Sequence, residues 1–213
     1  VKKEGAGQVC LIGVVNSGKS TLLKDLTGVD VEIAPYEYTT TKPELGMMKY
    51  EDVWVQIIEI PSTFEPGFMS IVYNTDLIMI LLDANKGLEK QRKELDEILN
   101  KRMIKTKRLY IITKQEIDLE KLKKQIWDNL GKIRVYTKTH GKKPEGKPII
   151  FKTGATVEGV VGEVHKSFLK HFRYAKVWGK SVKFGGATVG LEHALAEKDV
   201  VERGWVLVKP AIE

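Results

Sequence analysis

The 213-residue sequence contains a single cysteine, Cys10, so no intramolecular disulfide can form. That cysteine sits in the apolar run Val9-Cys10-Leu11-Ile12, where a small buried hydrophobe is expected rather than a reactive thiol. No stretch of 18 apolar residues and no signal peptide is legible, so a cytoplasmic chain without a membrane partner is expected. The four histidines, His140, His165, His171 and His193, are not spaced as metal ligands with a Cys or an acidic partner. No internal repeat or low-complexity stretch is visible. The chain opens on Val1 rather than Met, which leaves open that it is a piece of a longer protein.

With 42% hydrophobic and 30% charged residues, the composition is that of a globular chain long enough for one large domain or two small ones. Its net charge is +7, and the location of that charge is more informative than the sum. Residues 1–133 balance 20 basic against 20 acidic side chains, so the whole excess lies in residues 134–213, which hold 15 and 8. A localised basic surface fits a polyanionic partner, because clustered Lys and Arg release counterions from phosphates together. A solvated lysine-rich face is the alternative.

Strand-like runs alternate with amphipathic helical ones over the first two-thirds, which predicts an α/β sheet covered by helices. Strands are expected at Gln8–Val14, Gly46–Tyr50, Val53–Ile60, Leu77–Asp83 and Arg108–Thr113, and helices at Lys19–Thr27, Leu88–Arg102 and Leu119–Leu130. A boundary near Gly131–Arg134 divides domains 1–133 and 134–213. The second predicts strands at Ile133–Thr137, Lys147–Lys152, Tyr174–Val182 and Trp205–Val208 around a helix at Thr156–Phe172, a small α+β domain.

Gly13-Val14-Val15-Asn16-Ser17-Gly18-Lys19-Ser20 fits the phosphate-loop pattern and lies between a predicted strand and a predicted helix. Glycines at its ends let backbone N–H groups turn toward a phosphate, Lys19 is suited to the β- and γ-oxygens, and the Ser20 hydroxyl to magnesium. Thr21 continues the site. In Tyr38-Thr39-Thr40-Thr41 the expected second magnesium and γ-phosphate ligand is Thr40. Glu59, closing Val55–Ile60, is the expected carboxylate near the metal, and Thr113-Lys114-Gln115-Glu116 is the expected base-reading segment. Departures from the usual patterns are plain. Glu59 and Ser62 stand where Asp-x-x-Gly is common, Thr63 takes the place of a water-positioning glutamine, and Glu116 replaces an aspartate. Slow hydrolysis and weak base selectivity are expected. Asn16 is a candidate ligand for potassium beside the phosphates; its alternative role is to tolerate a tight turn.

These residues resemble the Obg-type GTPases, and among them the developmentally regulated GTP-binding protein family. The resemblance is carried by Leu11 to Thr21, Pro43-Glu44-Leu45-Gly46, Leu82-Asp83-Ala84-Asn85-Lys86-Gly87, Val135-Tyr136-Thr137-Lys138, Lys152–Val157 and Tyr174–Phe184. It implies a P-loop G domain, truncated at its last strand, followed by a β-grasp TGS domain. It also implies GTP or GDP and magnesium as ligands, a role in translation, and RNA or the ribosome as partner. The expected RNA contacts are Lys142, Lys143, Lys147 and Lys180, with Tyr136, Tyr174 and Trp178 as candidate stacking aromatics. A regulatory protein that supplies catalytic groups fits the missing glutamine. The family's inserted domain after Gly87 and the loop that backs the base are not found in the sequence. A degenerate G domain serving as an RNA- or ribosome-binding module is the competing reading.

Overall fold

The structure is a computed structural model that describes residues 1–28, 32–33, 43–144, 146–164 and 172–203. It divides into two units, Val1–Gly131 and Lys132–Glu213.

In the first unit β1 (Gly7–Gly13) leads into α1 (Lys19–Thr27), followed by β2 (Glu32–Ile33), β3 (Glu44–Tyr50) and β4 (Val53–Glu59). Then come α2 (Pro66–Asn74), β5 (Leu77–Asp83), α3 (Leu88–Lys101), β6 (Arg108–Thr113) and α4 (Leu119–Asn129). The six strands order as β2-β3-β4-β1-β5-β6. Pairs β4·β1, β1·β5 and β5·β6 are parallel, and the β2·β3 and β3·β4 pairs are antiparallel. Every residue of β1 and β5 is buried, as central parallel strands covered on both faces must be. One face of the sheet places Cys10, Ile12, Ile58, Ile78 and Ile80 against Phe68, Met69 and Val72 of α2 and Leu95 and Leu99 of α3. On the other side α1 packs on β3 and β4 and touches α4. Burial pushes the Cys10 thiol up to about 12 against a weaker pull from a Thr75 hydrogen bond, so it is an inert core residue. Among the described residues β6 is a sheet edge, and α4 leads from it directly to the second unit.

Elements β2, α2 and β3 of this unit depart from the sequence expectation, and the two-residue β2 was not predicted. Helix α2 was not predicted. Pro66 supplies its first turn, where a missing N–H costs nothing, but Pro66-Gly67 reads locally as a turn. Strand β3 begins two residues before the expected Gly46, because Glu44 and Leu45 pair with Glu59 and Ile58.

The second unit holds β7 (Lys132–Thr139), β8 (Ile149–Lys152), α5 (Val157–Val164), β9 (Ala175–Trp178), β10 (Ala187–Val189) and β11 (Asp199–Arg203), ordered β10-β9-β11-β7-β8. The β11·β7 pair is parallel and the others antiparallel. Val157, Val160 and Val161 of α5 pack on Ile133, Val135, Ala175, Val177 and Val201. Arg134 is fully buried and held by Glu197, whose Oε1 accepts from Nε at 2.8 Å and from a terminal guanidinium nitrogen at 2.6 Å. Here too the expectation is corrected. The strand expected at Tyr174–Val182 ends at Trp178, where Gly179 turns the chain at φ +140 against Asp199. Strands β10 and β11 were not predicted. The expected strand at Trp205–Val208 and the end of the helix expected to reach Phe172 lie outside the described residues.

Candidate functional site

The phosphate loop spans the end of β1 and the start of α1. Its shape depends on two glycines. A Cβ on Gly13 would lie 2.3 Å from Ser17 Oγ and 3.0 Å from the Leu81 carbonyl, so the loop can fold back only over a glycine. Gly18 caps α1 at φ +85, a left-handed conformation that a Cβ would strain. Asn16 also adopts positive φ, 63°, which asparagine tolerates better than most residues. The first N–H groups of α1 have no intrahelical acceptor, and with the helix dipole they favour an anion at this end. Thr113 holds the loop from beneath: its Oγ1 donates to the Ser17 carbonyl at 2.6 Å. The buried Ser17 Oγ has no hydrogen-bond partner among the described residues.

Lys19 is 6% exposed, and its ammonium donates to the carbonyls of Gly13 and Val14, both at 3.2 Å, and to Ser62 Oγ at 2.7 Å. Burial lowers its pKa and the Glu59 carboxylate works against that. Glu59, at the end of β4, is pushed above the usual carboxylate range by burial, with the Ser20 hydrogen bond and the Lys19 charge pulling it back. Its Oε2 is buried without a hydrogen-bond partner among the described residues. These groups line a cleft of about 430 Å³ together with Val15, Asn16, Ser17, Gly18, Thr21 and Lys114. An unpartnered carboxylate oxygen beside a Ser hydroxyl is a donor set for a hard cation. Ser20 and Glu59 therefore fit magnesium, and the loop fits a phosphate chain. Thr40, the third expected metal ligand, lies outside the described residues.

An adjoining depression of about 390 Å³ is lined by Gly18, Thr21, Leu22, Asp25, Thr113, Lys114, Gln115, Ile117 and Leu119. Its lining mixes the apolar Leu22, Ile117 and Leu119 with polar side chains, a composition that suits a planar base. The structure thus brings Asn16, Ser17, Gly18, Lys19, Ser20, Thr21, Glu59, Thr113 and Lys114 around two adjoining hollows, while Gly13 lies behind them with its carbonyl on Lys19. Glu116 does not line the base-sized hollow: it lines a neighbouring depression with Tyr110, Asp118 and Lys121, and Gln115 and Ile117 line both. Asp118, the nearby substitute carboxylate, caps α4 by accepting from the Lys121 N–H at 3.0 Å. Sequence reasoning missed Asp25, one helical turn beyond Leu22 on the same face of α1, and within the base-reading segment it singled out Glu116 where Gln115 lines the hollow. It also missed Lys86, whose Nζ reaches the Val15 carbonyl at 3.4 Å.

The expected RNA contacts do not form one cluster. Lys142 and Lys143 follow β7 at the end of the sheet where Thr139 faces Arg203, whereas Lys180 follows Trp178, which faces Val200 toward the other end. The Trp178 ring is covered by the Lys138 ammonium, 3.5 Å from its centroid, and lies close against Gly185 and Gly186. Phe184, not singled out in the sequence, is 70% exposed.

Comparison with known families fits this geometry. Residues 8–114 match the family model described as 50S ribosome-binding GTPase, and residues 133–202 match the TGS domain. The chain belongs to the 50S ribosome-binding GTPase family. It is a GTP-binding protein whose second unit is a TGS domain. A developmentally-regulated GTP-binding protein 1 homolog of Dictyostelium discoideum is 26% identical over 95% of this chain and 83% of the relative. The human developmentally-regulated GTP-binding protein 2 is 25% identical over 95% and 84%, and an uncharacterized GTP-binding protein of Schizosaccharomyces pombe is 27% identical over 94% and 83%. That last alignment runs over 304 positions. The relative therefore carries segments within the matched span that this 213-residue chain does not have. Among solved structures, the cytosolic domain of the T. maritima FeoB iron transporter in a GDP form is 18% identical, with a TM-score of 0.47 over 78% of this chain and 76% of that one.

Proposed function

We propose that the first unit binds GTP and GDP with magnesium at the phosphate loop, hydrolyses GTP slowly, and so governs a TGS domain that binds RNA or the ribosome in translation. The observation that carries the nucleotide half is the buried Lys19 ammonium, held over the loop beside a Glu59 oxygen that has no partner among the described residues. In this reading Lys19 neutralises the β- and γ-phosphates, loop N–H groups cradle the chain, and Ser20 and Glu59 hold the magnesium, which supplies charge neutralisation when bound. Hydrolysis is slow because exposed Thr63 cannot orient a water as a glutamine amide does. Potassium held by Asn16, or a partner protein, would supply the missing stabilisation. Replacing Lys19 by Ala tests this half: a folded chain should lose triphosphate affinity by tenfold or more, given about 1.5–3 kcal/mol for a charged hydrogen bond. Unchanged affinity removes the phosphate-loop reading.

The RNA half rests on the charge excess confined to residues 134–213 and on the family description of residues 8–114. A second reading, a degenerate G domain without GTPase activity that serves as an RNA- or ribosome-binding module, is favoured by one observation: Glu116 does not line the base-sized hollow but the depression beside it. Salt-dependent RNA binding by the full chain with and without GTP separates the two. Binding that responds to GTP supports the switch, and binding indifferent to it supports the module.

A further inference from the structure

An ammonium group has three protons to donate. On Lys19 all three are committed, to the carbonyls of Gly13 and Val14 at 3.2 Å each and to Ser62 Oγ at 2.7 Å. The Ser62 contact is the shortest. It is also anchored from behind, because the Ser62 hydroxyl donates its own proton to the Gly13 carbonyl at 2.9 Å. Ser62 therefore ties the segment after β4 to the floor of the phosphate loop through two hydrogen bonds. One of them ends on the cation that a phosphate chain needs.

From this geometry we infer that Ser62 competes with the terminal phosphate for Lys19, and so sets how strongly the site prefers a triphosphate over a diphosphate. The inference rests on the nucleotide reading of the loop. A lysine in such a loop serves oxygens of both β- and γ-phosphates. A single β-oxygen can be served by giving up one of the two longer carbonyl contacts, which leaves Ser62 in place. A second, γ-phosphate oxygen needs another proton, and Ser62 is the group that releases it when the ammonium keeps one loop carbonyl as its anchor. The cost of breaking that contact then falls on the triphosphate and spares the diphosphate. Glycine at this position would have no hydroxyl to displace.

The test is titration calorimetry of the whole chain with GDP and with a non-hydrolysable GTP analogue at fixed magnesium, using wild type, Ser62→Ala, Ser62→Thr and Lys19→Ala. Loss of a hydrogen bond of ordinary net strength corresponds to about a five- to tenfold gain. Ser62→Ala should gain that factor for the triphosphate while GDP changes by less than about twofold. Ser62→Thr, which keeps the hydroxyl, should retain the wild-type ratio. Should the Ala variant fail to fold, Ser62→Gly carries the same expectation. An unchanged ratio in the Ala or Gly variant overturns the inference, and so does a lowered one, which would mean that the hydroxyl donates to the γ-phosphate. Lys19→Ala keeps the two failures apart. If it abolishes binding of both nucleotides while the Ser62 ratio stays fixed, only the Ser62 inference falls; if it leaves both affinities intact, the phosphate-loop reading falls as well.

Discussion

Replacing Glu59 by Gln removes one negative charge from the site while keeping the size and shape of the side chain. Two opposing effects follow from its position. Among the described residues the buried Glu59 Oε2 atom has no hydrogen-bond partner, and a buried unsatisfied polar atom costs about 1–3 kcal/mol, more when it is charged. Neutralising it relieves part of that cost, so the variant should be at least as stable as wild type. A gain of about 1 kcal/mol would raise the melting midpoint of this unit by about 4 °C. In the presence of magnesium and nucleotide the carboxylate is the group that answers the cation. Its loss forfeits a charged contact worth about 1.5–3 kcal/mol, a roughly tenfold to hundredfold weakening. The assay is nucleotide titration with magnesium and with a chelator, paired with thermal melts of the free chain. Wild type should show strong magnesium dependence, and Glu59→Gln should lose most of it without losing stability. A variant with undiminished magnesium dependence would refute the assignment of Glu59 to the metal. One that unfolds would refute the claim that its charge is a liability in the free chain.

Three further predictions concern other parts of the chain. Glu197→Ala strips the buried Arg134 guanidinium of the carboxylate that meets it at 2.6 Å, so the second unit should lose about 3–5 kcal/mol in denaturant unfolding while nucleotide affinity stays unchanged; a loss below about 1 kcal/mol would show that the other contacts of Arg134 suffice. Burial acts to raise the Glu202 carboxyl, but hydrogen bonds from His140 and Lys138 and their charges bring it below its ordinary value of 4.5. Its stabilisation is therefore complete above that value and is lost as pH falls through the depressed one, so Glu202→Gln should flatten the acid limb of unfolding of this unit, and an unaltered limb counts against the ion pairs. Asn16 at φ 63 serves the turn whether or not it ligates a cation; hydrolysis faster in potassium than in sodium identifies it as a ligand, and equal rates in potassium, in sodium and without added salt leave it only the turn.

What the sequence revealed was what is local. The phosphate loop is contiguous and lies at a strand to helix junction, so Gly13, Gly18, Lys19 and Ser20 could be placed from pattern alone. Strands β5 and β6 and helix α1 were legible to the residue because each is a run of one periodicity with clear ends. Helix α2 was hidden because its apolar residues Phe68, Met69, Ile71 and Val72 follow a Pro-Gly pair and carry little polar contrast. Strands β10 and β11 are three and five residues long, and their pairing comes from distant partners. The contact between Ser62 and Lys19 joins residues 43 apart, and no spacing rule announces it. Side-chain direction was equally hidden. Glu116 stands at the expected place in the chain, but after Lys114 takes positive φ, 62°, it lines only the neighbouring depression, while Gln115 and Ile117 line both that one and the base-sized hollow.

The central claim is that this chain holds a guanine nucleotide by its phosphates more than by its base. Calorimetric titration of the intact protein with GTP and ATP, each with magnesium, tests it directly. The account predicts measurable binding of both, with GTP favoured by less than ~100-fold, since a complete polar site discriminates far more strongly and the base-sized hollow presents Gln115 and Asp25 in place of Glu116. Preference for GTP by several thousandfold would contradict the placement of Glu116, and no binding of either nucleotide would contradict the account itself.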